Sequence, residues 1–442
     1  MFTIMWYHRE QSYRKKGGDA MKKQLICVIL TCALLLSGCK GTFGGINNVE
    51  ELLRAPQTAP LQSDVQKALN SYLGETLQLK YPRGGDVLSP ILFADFEGDG
   101  QNEAAVLYTT ESKGQNVHLA ILENRTNVWE VSYEIEGLST EISSIELVTL
   151  KENSVQILVG YANATLNDLY LAVYDYRAET VTPLYQQAYD AYLAADFSGG
   201  GICDLVVVPP TTQPGALSAV LLHAEETGMR NVQTFPLDER FLACNGLYMT
   251  HSGAAYGLVI DGALMSGGLA NQVFRMQESL FVHWPADTEI DLPRRSLRYL
   301  QALKATDFND MGTVEVPCNV LSVPTLTSAR RFYYVTWQNY LVDPATERFG
   351  VYDATNGYFV QLPNAWQGKI SIADGAQPGA WQVRLQEGNE MLLAVREEKR
   401  KQSIGANTVG EKKKKKNVLL YITDECTPVE ANLLRAGVTM LQ

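Results

Sequence analysis

Ile91-Leu92-Phe93-Ala94-Asp95-Phe96-Glu97-Gly98-Asp99-Gly100-Gln101-Asn102-Glu103 is the stretch on which the fold of this chain turns. It is a short run of apolar β-formers that stops at an aspartate, followed by a polar loop rich in glycine. Its first half returns twice, as Tyr192-Leu193-Ala194-Ala195-Asp196-Phe197 and as Leu303-Lys304-Ala305-Thr306-Asp307-Phe308. Weaker echoes fall between, at Ile145-Glu146-Leu147-Val148-Thr149-Leu150 and Gly246-Leu247-Tyr248-Met249-Thr250. A spacing of roughly 50 residues is the length of a four-stranded propeller blade.

Between the echoes lie further strand signals, separated by turn formers. They include Ala104-Ala105-Val106-Leu107-Tyr108, His118-Leu119-Ala120-Ile121-Leu122, Val155-Gln156-Ile157-Leu158-Val159, Leu169-Tyr170-Leu171-Ala172-Val173-Tyr174 and Ala219-Val220-Leu221-Leu222. The expected fold is mainly β. A helix near 61–75, with Ser63 as N-cap, and a β-propeller-like repeat of about five blades fill 61–345. A small α+β domain follows over 346–442. In it, strands are expected near 368–373, 381–386, 391–396 and 418–422, with a helix from Pro428 to Leu441 capped by Thr427 and Glu430.

The first loop sets oxygen-bearing side chains at positions 1, 3, 5 and 9, namely Asp95, Glu97, Asp99 and Glu103, with glycine at position 6. Alternation of this kind points carboxylates at one hard cation, and the carbonyl of Gln101 at position 7 would complete the set. The other reading is that the aspartates cap turns through their own backbone, with no metal. The second loop keeps Asp196 and Asp204 without the middle carboxylates, and Met311 replaces the central ligand of the third. Loop and following strand resemble the FG-GAP/VCBS repeat of β-propellers. That resemblance implies Ca2+ in the first loop, as a brace for a blade rather than a catalyst. Gly357-Tyr358-Phe359-Val360-Gln361-Leu362-Pro363 with Trp366 resembles part of the small PsbP-type domains.

The N-terminus reads as an address. Residues 1–20 precede an internal methionine, Met21, the expected true start. Lys22 and Lys23 lead into an apolar run, Leu25 to Leu36, too short to span a bilayer comfortably. The run ends Leu36-Ser37-Gly38-Cys39, which resembles the lipobox of bacterial lipoproteins. The resemblance implies cleavage before Cys39, a diacylglyceryl lipid on its sulfur and an acylated mature N-terminus, with residues 39–60 as tether. An uncleaved N-terminal anchor is the alternative. Either way the expected location is the cell membrane, on its extracytoplasmic face.

Loss of residues 1–38 removes Arg9, Arg14, Lys15, Lys16, Lys22 and Lys23 together with Glu10 and Asp19. That leaves 31 basic against 47 acidic residues, a formal charge of −16 where the whole chain carries −12. Such a surface disfavours nucleic acid as a partner. Cys203, Cys244, Cys318 and Cys426 are widely spaced, with no CxxC pair. The expectation is buried free thiols, although export also permits disulfides.

Other signals are set aside on chemistry. Lys412 to Lys416 reads as a solvated loop, and Glu411 stands where a P-loop needs its lysine. His118, His223, His251 and His283 have no metal-ligand spacing, and no G-x-S-x-G elbow occurs. Trp284, Tyr333, Tyr334, Trp337, Trp366 and Trp381 could stack on sugars but fit strand packing better. No catalytic residue is assigned. The expected function is a noncatalytic module that binds a protein or glycan of the envelope. The alternative is an extracellular polysaccharide hydrolase or lyase on the same scaffold, which would need two carboxylates meeting in space.

Overall fold

The computed structural model describes residues 60–442, except 166, 288, 325–329, 343, 377–379, 400–407, 414–415 and 442. The expected signal segment, Cys39 and the expected tether as far as residue 59 lie outside the described residues. Residues 61–442 form one compact unit.

The unit opens with α1 (Pro60–Leu73). Proline at a first helical position suits its fixed φ and missing N–H, so the helix begins at Pro60, ahead of the expected Ser63 cap. The first sheet contains β1 (Gln78–Leu79), β2 (Ile91–Ala94), β3 (Glu103–Thr109), β4 (His118–Arg125) and β5 (Val128–Glu136). Three four-stranded antiparallel meanders follow. They are β6 to β9 (Glu141–Lys151, Ser154–Ala162, Leu169–Arg177, Thr180–Ala188), β10 to β13 (Ala191–Ala195, Asp204–Val208, Ser218–Glu225, Gly228–Pro236) and β14 to β17 (Phe241–Ser252, Ala255–Leu264, Leu269–Gln277, Leu280–Trp284). After a short helix, α2 (Leu292–Arg295), the fifth sheet starts with β18 (Thr306–Asp307), β19 (Val314–Ser322), β20 (Phe332–Asn339), β21 (Thr346–Asp353) and β22 (Tyr358–Gln361).

The chain then lays down a sixth sheet: β23 (Ile370–Asp374), β24 (Ala380–Leu385), β25 (Met391–Lys399), β26 (Thr408–Lys413) and β27 (Lys416–Ile422). The lysine run therefore starts and ends inside paired strands, with Lys413 opposite Lys416. Helix α3 (Pro428–Ala436) carries the expected capping box between Thr427 and Glu430. It stops at Gly437, short of the expected Leu441, because the next three residues return as β28 (Val438–Met440) and pair with β22. β20 and β21 are hydrogen-bonded along their whole length across the expected boundary at 345/346, so β21, β22 and β28 share the fifth sheet while β23 to β27 form the sixth.

This is a mainly β, propeller-like stack of blades, and its core shows how the blades meet. Phe96, Ala105, Leu119, Ile145 and Tyr174 fill the seam of blades one and two. Leu150, Leu158, Leu205 and Val207 join two and three. Phe197, Leu221, Ile260 and Phe274 join three and four, and Val259, Val273, Val314 and Cys318 join four and five. The other face of the fifth sheet packs on the sixth through Val351, Val360, Trp381 and Leu393. The outer face of blade one is covered by α1, whose Val65 and Leu69 are fully buried against Tyr108, Ala120 and Leu122. Among the described residues, no hydrophobic cluster joins the first blade to the fifth. Blades one to five follow one another through these seams, with α1 on the outer face of the first and the sixth sheet on the outer face of the fifth.

Candidate functional site

The three aspartate loops alternate with two tight hairpins along one end of the row. The loops lie between β2 and β3, β10 and β11, and β18 and β19, whereas β6–β7 and β14–β15 turn directly at Glu152-Asn153 and Gly253-Ala254. Loop and hairpin interlock. Val155 N–H donates to the Phe96 carbonyl at 3.1 Å, Cys203 N–H to the Thr149 carbonyl at 2.8 Å and His251 N–H to the Gly312 carbonyl at 2.9 Å. The phenylalanine after each aspartate points inward, and Phe96 and Phe197 are buried in the seams.

In the first loop, Asp95 Oδ1 accepts from Gly98 N–H at 2.7 Å and Asp99 N–H at 3.0 Å, while Oδ2 accepts from Gly100 N–H at 2.8 Å. Gly98, at φ +78°, brings the loop close to Asn153. Asp95, Asp99 and Glu103 converge, with one carboxylate oxygen from each lying within 4.8 Å of the others. Glu103 is buried and accepts from Phe96 N–H at 2.8 Å. Burial, outweighing that hydrogen bond, and then the charges of Asp99, Asp95 and Glu97 push its carboxyl up to about 7. Three oxygen donors that repel one another are the donor set a hard divalent cation prefers.

Glu97, a further expected ligand, is engaged elsewhere: its Oε2 accepts from Ala178 N–H of the neighbouring blade at 3.0 Å. At Gln101 the side-chain amide donates to Asp99 Oδ2 at 3.3 Å and the backbone N–H to Asp99 Oδ1 at 2.7 Å. In the second loop, Asp196 gathers the N–H groups of Ser198, Gly199, Gly200 and Gly201, with no second carboxylate in the cluster. These bonds outweigh its partial burial and hold the carboxyl below its ordinary range. Such an aspartate needs no cation.

The cysteines carry free thiols and sit on separate elements. Burial pushes the Cys244 thiol up to about 12 and Cys318 up to about 11, the opposite of reactive-thiol activation. Trp337, Trp366 and Trp381 are buried packing residues.

A second feature lies at the seam of blades one and two and was not visible in the sequence. A groove of about 610 Å³ is floored by β1 and the end of β3. Its walls are the β3–β4 loop and the start of β6, and its lining side chains include Thr76, Gln78, Thr109, Thr110, Gln115 and Thr140. Its charged residues are Glu111 and the pair Lys80–Glu141, at 3.1 Å, with Arg83 on the other Glu141 oxygen at 3.2 Å. Burial pulls the Glu141 carboxyl up, but its bonds to Lys80 and Arg83 prevail and hold it below the ordinary range. No local motif marks this site, because four separate segments supply it, 76–80, 109–115, 140–141 and Ala164.

Among the described residues, no helix is long and apolar enough to cross a membrane. No family model and no curated protein matches the chain. Among solved structures, the chain is similar to an exo-β-1,3-galactanase from Phanerochaete chrysosporium, at 9% identity and a TM-score of 0.27, covering 75% of this chain and 81% of that one. It is also similar to an exo-β-1,3-galactanase from Clostridium thermocellum, at 8% identity and a TM-score of 0.27, covering 83% and 99%. A β-1,3-galactosidase of glycoside hydrolase family 43 aligns over 71% of this chain and 78% of its own, at 8% identity and a TM-score of 0.26.

Proposed function

We propose that this protein is an extracytoplasmic, lipid-anchored recognition module that binds a component of the cell envelope and does no chemistry on it. The observation that carries the reading is helix α1 packed on the face of blade one turned away from blade two. Helix α1 occupies the face of blade one that a ring would give to its last blade. Recognition then falls to grooves between neighbouring blades and to their loops, which a rigid scaffold presents. In the seam groove, Glu141 has both oxygens paired with cations and stays ionised, so it is not a general acid. The anchor is the diacylglyceryl lipid on Cys39. Calcium held by Asp95, Asp99 and Glu103 braces the first loop against blade two.

The test uses the full chain carrying Cys39→Ser as a probe on envelope fractions. Saturable retention without new sugar ends supports the module. Release of reducing or unsaturated ends by the purified chain would replace it with the hydrolase or lyase. For the anchor, an alkynyl fatty acid fed to cells should label wild type and leave Cys39→Ser unlabelled. Melting should rise with calcium in wild type and be indifferent to it in Asp99→Ala; equal curves with and without EGTA would remove the metal from the account.

A further inference from the structure

We infer that the groove at the seam of blades one and two is a binding site for a short neutral oligosaccharide. The inference deepens the recognition reading and rests on it. Its volume, about 610 Å³, lies within the range of roughly 300–1,000 Å³ of small-molecule sites. The lining is rich in hydroxyls and primary amides, which both donate and accept, as sugar hydroxyls require. Thr76, Gln78, Gln115 and Thr140 have no side-chain hydrogen-bond partner among the described residues, so their polar atoms remain available to a ligand.

Charge narrows the class. Lys80 is neutralised by Glu141, whose second oxygen is held by Arg83, and Glu111 is the remaining charge of the lining. A phosphate or uronate would meet Glu111 and Glu141 with its only cations already engaged. An uncharged polyol meets no such penalty. Position adds a further argument. β1 carries Gln78 opposite Thr109 at the edge of blade one, while Thr140 and Glu141 open blade two. A ligand here would bridge two blades, and its affinity would depend on both.

The experiment is titration of the Cys39→Ser chain with neutral hexose and N-acetylhexosamine di- to tetrasaccharides, read by saturation-transfer NMR. Uronic acid oligomers form the comparison arm. Gln78→Ala with Gln115→Ala removes two exposed amides and should leave melting unchanged while weakening binding about tenfold, as two hydrogen bonds are worth. Neutral sugars that bind wild type and the double variant equally would overturn the assignment. So would uronic acid oligomers that bind more tightly and lose affinity in Lys80→Gln. If the chain retains envelope material that no neutral oligosaccharide displaces, the groove is excluded and the recognition module stands. If it retains nothing, both fall.

Discussion

A half-buried carboxyl and a fully buried guanidinium behave oppositely at the residue scale and can be told apart. Glu146, on the inner strand β6, has its carboxyl raised by burial, which outweighs a hydrogen bond from Tyr192, and the charge of Asp86 adds to the rise. A raised carboxyl favours folding while it is protonated. Its contribution is complete below the ordinary value of 4.5 and is lost as pH climbs through the raised one. Melting temperature plotted against pH should therefore carry a downward component above 4.5 that Glu146→Gln flattens. An unchanged slope in the variant would mean that Glu146 is solvated in solution.

Arg298 is the second case. It is fully buried, donates to Asp261 at 2.7 Å and Asn271 at 2.7 Å, and also bonds the Leu303 carbonyl. Asp261 in turn accepts from Ala305 N–H at 3.2 Å. The pair thus ties the 296–305 linker to blade four. Arg298→Met leaves a buried carboxylate unpaired and should cost about 3–5 kcal/mol in denaturant unfolding. Adding Asp261→Asn should recover part of that loss, since the uncompensated charge is then gone. A double variant no more stable than Arg298→Met would place the penalty in packing instead.

Among the elements, the aspartate loops decide how blades dock, and their glycines are not equivalent. A Cβ on Gly98 would sit 1.7 Å from the Asn153 carbonyl oxygen, whereas one on Gly100, at φ +90°, meets nothing within 4 Å. Conformational strain alone is worth roughly 1–3 kcal/mol for a non-glycine residue in that region. Gly100→Ala should stay within that range, and Gly98→Ala should exceed it because the backbone of blade two must also move. Chemical denaturation of the two variants checks the order; equal losses would show that the loop is not pressed on β6–β7.

The same loops mark how much of the fold was legible. Asp-Phe echoes at 95, 196 and 307 located blades one, three and five, since a loop chemistry leaves a local signature. The weaker echoes fell on β6 and β14, where the turn is a bare hairpin and only apolar alternation remains to be read. The convergence of Asp95, Asp99 and Glu103 was readable from spacing, but the diversion of Glu97 to Ala178 was not, because its partner lies 81 residues away. The pairing of β28 with β22 was hidden for the same reason. Its three residues look like the end of an amphipathic helix until Gly437 and a distant strand edge claim them. The seam groove has no signature at all, being built of ordinary threonines and glutamines that only docking brings together.

For the whole molecule, the arrangement of blades in a row governs how damage spreads. Each seam joins sequence neighbours, so stability is close to a sum of blade and nearest-neighbour terms. In a closed ring every blade has two such neighbours, and loosening one seam is felt on both sides. Here blade one has blade two on one face and α1 on the other. Leu69→Ala removes a fully buried side chain from that cap and should cost about 2–5 kcal/mol locally. The row predicts where the loss appears. Hydrogen exchange should quicken in α1 and β1–β5, fade through blade two, and leave β19–β25 as protected as in wild type, because sub-global opening follows cooperative units. Exchange that quickened equally in blade five would require a contact across the ends. It would make the molecule a ring, and it would reopen the central mouth that a hydrolase would need.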